Sequence, residues 1–73
     1  MKQNLTAIIE REGDGYVALC PEFDIASQGD TIEEARRNLS EALDLFLECA
    51  PPEEIARRRL SEVYVTQVEV TIG

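Results

Sequence analysis

The sequence has no histidine and only two cysteines, and no run of apolar residues long enough to span a membrane. Each absence excludes a class of function. Without histidine the usual general base near neutral pH is missing. Hydroxyl nucleophile candidates such as Ser27 and Ser40 stand in no recognisable pattern with a base. Cys20 and Cys49 form no C-x-x-C pair and have no histidine beside them, so a zinc site is not expected. The expectation is two reduced, buried thiols. A membrane helix needs ~20 consecutive apolar residues, which no segment supplies. Met1-Lys2-Gln3-Asn4 leads directly into a strand-like run without an apolar signal region, which points to a cytoplasmic protein. Basic residues are also scarce. Seven Lys and Arg face fifteen Asp and Glu, giving a formal charge of −8. That charge opposes phosphate backbones and anionic membranes, so neither nucleic acid nor a membrane is expected as a direct partner, and a basic protein is the natural complement.

What is present describes one small α+β domain over residues 1–73. Its 44% hydrophobic content is ordinary for a folded chain. A chain this short buries only ~60% of its unfolded surface, and self-association is a common remedy. From Leu5 to Arg11 the residues alternate, with Leu5, Ala7 and Ile9 on one face and Thr6, Ile8 and Glu10 on the other, as in a strand. Glu12-Gly13-Asp14-Gly15 has hairpin turn chemistry. Tyr16 to Cys20 reads as a second strand ended by Pro21, and Ile25 to Gln28 as a third, closed by Gly29.

Thr31-Ile32-Glu33-Glu34 fits a capping box, with Asp30, Glu33 and Glu34 suited to the positive end of a helix dipole. Ile32, Ala35, Leu39, Ala42, Leu43 and Phe46 then recur at helical spacing, with Leu45 and Leu47 flanking the stripe. Pro51 and Pro52 close a helix spanning Ile32 to Cys49. Pro52-Glu53-Glu54 can open one further turn, and Arg57-Arg58-Arg59 reads as a solvated basic face. Val63 to Ile72 alternates again, with Tyr64, Thr66, Val68, Val70 and Ile72 on one face, and predicts a last strand. The order β-β-β-α-β implies a single helix on a four-stranded mixed sheet of strand order 3-2-1-4, the last strand parallel to the first by a right-handed crossover.

Carboxylates are the remaining chemical option. Glu10, Asp14, Glu22, Asp24 and Asp30 fall on strands or strand-end loops, where an acidic cluster could hold Mg²⁺ for a nuclease. Turn chemistry and solvent exposure account for these residues more simply, so no metal or other cofactor is expected.

Four segments together resemble the HicB family of antitoxins. They are Ile8-Ile9-Glu10-Arg11, Asp14-Gly15-Tyr16-Val17-Ala18, Cys20-Pro21-Glu22 and Gln28-Gly29-Asp30-Thr31-Ile32-Glu33-Glu34-Ala35. The resemblance covers about residues 5 to 48. It implies a partly degraded ribonuclease H-like fold, a homo-oligomer, and a non-catalytic protein that binds and neutralises a small basic ribonuclease toxin, HicA. Asp24-Ile25 stands where family members often carry Pro-Gly. No ribbon-helix-helix or helix-turn-helix segment follows within these residues, so operator binding is not implied. The alternative is a stand-alone oligomeric domain outside any toxin-antitoxin pair. The contact residues expected for a basic partner are Glu10, Glu12, Asp14, Glu22 and Asp24, because turns and strand ends project beyond the sheet. Glu41, Asp44 and Glu48 carry further charge on the outer helix face.

Overall fold

The structure is a computed structural model that describes residues 4–59 and 62–73. The start of the chain read for a signal region, residues 1–3, lies outside them. Three strands form first: β1 (Ile8–Glu12), β2 (Gly15–Cys20) and β3 (Ile25–Gly29). They pair antiparallel in the order β1-β2-β3. Gly13-Asp14 makes the two-residue turn between Glu12 and Gly15, which pair with each other. Gly13 has φ 60, and Asp14 is not among the positive-φ residues. Positive φ at the first central position alone is the II′ pattern, whose twist matches the flanking strands.

Helix α1 (Ile32–Cys49) has the predicted bounds. Thr31 Oγ1 accepts from Glu34 N–H at 3.0 Å. Glu34 reaches back one residue further than the capping-box pattern implies, accepting from Asp30 N–H at 3.2 Å. The expected single turn after Pro51 is a full short helix, α2 (Pro52–Arg58).

The core lies between α1 and one face of the sheet. Ala18, Cys20, Phe23, Ala35, Leu39 and Leu43 are buried in it, with Ile9, Tyr16, Ile25, Phe46 and Ile55 packed around them. Most of the predicted stripe is therefore the buried one, but Ile32, in α1's first turn, is exposed. Phe23 is the largest fully buried side chain, and sequence pattern gave no periodic cue for it, since it sits in the turn between β2 and β3. Asp24 at φ 55 closes that turn and turns Phe23 inward, where its ring meets Phe46 with centroids 5.5 Å apart.

The basic run is not simply a solvated face. Arg58 Nη2 donates to Phe23 O at 2.9 Å. The Arg58 guanidinium lies 4.7 Å from the Phe46 ring centroid, and that of Arg59 lies 6.0 Å from Phe23. These cation–π contacts tie α2 to the core through charges that keep their outer edge in water.

The β-β-β-α-β expectation is overturned. The sheet has three strands, all antiparallel, under two helices, not four mixed strands under one. Neither the parallel last strand nor the ribonuclease H-like arrangement that depends on it forms. Residues 62–73 take no regular secondary structure, and Tyr64, Val65, Val68, Val70 and Ile72 are exposed, up to 92% at Ile72. Side-chain alternation reports that a segment can extend, while pairing needs an edge that the segment actually reaches. The radius of gyration, 14.3 Å, exceeds the ~11 Å of a compact chain of this length, as expected when the last segment stands off the body.

Candidate partner-binding face

The register decides which side chains the helix leaves uncovered. Ile9 lies opposite Ala18, and Ala18 opposite Ser27, on the helix side. Side chains alternate along each strand, so the other face carries Ile8, Glu10 and Glu12 from β1, Val17 and Leu19 from β2, and Ala26 and Gln28 from β3. The pairings order these in rows. Ile8, Leu19 and Ala26 form an apolar row, Glu10, Val17 and Gln28 a mixed one, and Glu12 stands at the hairpin end. Ala35, Leu39, Leu43 and Phe46 of α1 and Ile55 of α2 pack into the core on the opposite side, while Leu45 and Leu47 of α1 stay exposed. Ile8, Val17 and Leu19 remain half-buried.

At the hairpin end the open face runs into a groove of about 400 Å³ lined by Glu12, Tyr16, Val17, Gln28, Asp30 and Glu34, among others. Its carboxylates come from β1 and from the start of α1. They meet because Gly29, one residue before Asp30, pairs with Tyr16, next to the hairpin turn. Local chemistry assigns Glu34 to the helix cap, and Asp30 to the cap or to a strand-end acidic group, without joining either to Glu12. The signal that unites them with Glu12 is the β2–β3 register, which single-chain periodicity does not specify.

The five expected contact residues do not form one surface. Glu10, Glu12 and Asp14 are exposed at the β1–β2 hairpin. Glu22 and Asp24 lie at the opposite end of the sheet, since Ile25 pairs with Cys20 while Gly15 pairs with Glu12. The five rises of β2 separate the two ends by about 17 Å. One divalent ion, with oxygen ligands at ~2–2.6 Å, cannot take both Asp14 and Asp24. No group of three His, Cys, Asp or Glu side chains is placed to hold a metal among the described residues.

Glu22 is occupied within the chain. Its carboxylate accepts from Thr6 N–H at 3.0 and 3.1 Å, from Thr6 Oγ1 at 2.7 Å, and from Cys20 Sγ at 3.4 Å. Burial pushes the Glu22 pKa up, but the Thr6 side-chain and backbone hydrogen bonds outweigh it and hold the carboxyl below the usual carboxylate range. Burial, followed by the neighbouring Glu22, pushes the Cys20 thiol up. Both cysteines are free, as expected, but only Cys20 is buried; Cys49 is exposed at the end of α1.

The Glu22 clamp fixes the chain where it enters β1, and its pH dependence has a definite sign. A carboxyl whose folded pKa is lowered contributes stability that is complete above the unfolded value and is lost as pH falls through the folded one. Glu22→Gln should therefore cost about 1 kcal/mol at neutral pH, where the charged acceptor is lost. The gap between variant and wild type in urea midpoint should close as pH drops below the carboxylate range. A gap of constant size from neutral to acid pH would show that the charge of Glu22 contributes nothing. Comparing the two proteins at each pH cancels the general relief of repulsion that acid brings to so acidic a chain.

No helix of the described residues is long and apolar enough to cross a membrane. No family model matches the sequence, and no solved structure matches it. Curated relatives do. A UPF0150 protein of Synechocystis is 54% identical over 50 residues, covering 66% of this chain and 69% of the relative. A second from the same organism is 49% identical over 47 residues, covering 62% of this chain and 60% of that protein. A UPF0150 protein of Helicobacter pylori is 33% identical over 70 residues, covering 94% of this chain and 97% of its own length. On that identity, carried over nearly the whole length of the Helicobacter protein, the chain belongs to the UPF0150 family.

Proposed function

We propose that the chain is a non-catalytic binding module of the HicB antitoxin kind, which neutralises a small basic ribonuclease of the HicA type by covering its RNA-binding surface. The observation that carries this reading is the open sheet face, where an apolar row of Ile8, Leu19 and Ala26 grades into the carboxylates of Glu10 and Glu12. An apolar patch flanked by charge suits a protein interface, and the negative sign favours a basic partner. The motif resemblance supplies the identity of that partner. The sequence lacks histidine, and Asp14 and Asp24 stand at opposite ends of the sheet, so the mechanism is occlusion. Of the expected contact residues, Glu10, Glu12 and Asp14 serve this face, joined by Asp30 and Glu34 in the adjoining groove, while Glu22 is spent on the fold.

The double charge reversal Glu10→Lys/Glu12→Lys touches exposed positions and leaves the core intact. It should slow association with the purified toxin by about tenfold or more at low ionic strength, where complementary charge steers encounter. The difference should shrink at 1 M salt, where the Debye length is ~3 Å. RNA cleavage by the toxin should stop at saturating wild-type protein. Undiminished cleavage there would end the antitoxin reading, and a salt-independent association rate would end the steering argument.

A further inference from the structure

Two unfilled requirements lie side by side in the fold, and the chain carries a third. The sheet order leaves β1 as an edge, with a row of backbone donors and acceptors pointing away from β2. Beyond that edge lies a groove of about 810 Å³, whose lining includes Leu5, Phe23, Leu39, Leu43, Leu47 and Ile55. A strand added to β1 would stand about 4.8 Å beyond it and send alternate side chains into this groove.

The third requirement is a segment with nothing to cover it. Residues 63–72 alternate, and Tyr64, Val68, Val70 and Ile72 on one of their two faces are 68–92% exposed. Apolar exposure of that extent in a contiguous segment marks an interaction site. In a chain of net charge −8, this stretch of ten carries a single charge, Glu69. It is therefore the part of another copy that can approach the acidic body with least repulsion.

We propose that residues 62–73 of one copy add as a strand to the β1 edge of a second copy, with the Tyr64, Val68 and Ile72 face seated in the groove beside it. Two-fold symmetry makes the exchange reciprocal, so each copy gives one segment and receives one. The exchange covers both β1 edges and both exposed segments at once, and it adds buried apolar area to a body whose own core is small. It differs from the overturned four-stranded arrangement in that the chain's own sheet still ends at β1.

Sedimentation of the full chain at micromolar concentration should give twice the 8.2 kDa of one chain. The variant Gln67→Pro/Val68→Pro changes adjacent residues, whose N–H groups point to opposite edges, so it removes a ladder donor whichever edge pairs; neither residue contributes to the core, so its helical circular dichroism should be retained. Its self-association should be weakened by about a hundredfold or more. Amides of β1 that point away from β2 should exchange slowly in the wild type and rapidly in this variant. A monomeric full chain, whether or not its residues 63–72 are protected, would overturn the proposal. So would a dimer that survives both prolines.

Discussion

Phe23→Ala is expected to abolish the folded domain at room temperature. Phe23 is 2% exposed and is the largest fully buried side chain of the core. Its ring packs at a tilt against Phe46, 5.5 Å between centroids, its carbonyl accepts from Arg58, and its ring faces the Arg59 guanidinium. Truncation therefore opens a cavity and loosens α2 in the same step. Loss of a buried phenylalanine costs about 3–5 kcal/mol. A core this small rarely supplies more than about 3–5 kcal/mol in total. The two figures are equal within their spread, so the variant should show little helical circular dichroism and no cooperative urea transition. Phe23→Leu, which keeps most of the volume, should fold with a lowered midpoint. A cooperative transition for Phe23→Ala close to that of the wild type would show that the turn residue is dispensable and that the core is held elsewhere.

The second large effect is expected at Gly29. A Cβ there would sit 2.5 Å from Ala35 N, 2.8 Å from the Glu34 carbonyl carbon and 2.9 Å from Glu34 Cβ. Two of these are backbone atoms of α1's first turn, held in place by the Thr31 cap, so no side chain can swing aside. The need for glycine is spatial: the helix start rests directly on the end of β3. Gly29→Ala should force the sheet and α1 apart and cost about 1–3 kcal/mol or more. Gly13→Ala is the matched control. Nothing lies within 4 Å of a Cβ at Gly13, whose φ of 60 makes the substitution only conformationally unfavourable, by about 1–2 kcal/mol. Urea midpoints of the two variants should rank Gly29→Ala below Gly13→Ala. The reverse order would mean that the contact between β3 and α1 yields easily.

Phe23 and Gly29 both owe their roles to the packing of separate elements. Local chemistry alone determined that three N-terminal strands form, the hairpin turn, the Thr31 cap and both ends of α1, because each depends on groups a few residues apart; β1, expected from Leu5 to Arg11, runs instead from Ile8 to Glu12. Parity likewise set Ile8 on the face opposite Ile9, but only the registers showed that this face is the one the helix leaves uncovered. Tertiary structure decided everything that depends on distant segments meeting. It turned Phe23, an aromatic in a non-periodic turn, into the centre of the core. It made Arg58 and Arg59 into clamps on the aromatic rings, and it assigned Glu22 to Thr6 and Cys20. It divided five acidic residues between two ends of a sheet, because register, which no single strand contains, sets who faces whom. It also left Val63 to Ile72 unpaired within the chain: a period of two specifies an extended backbone, but an edge to bind is a property of the assembled fold.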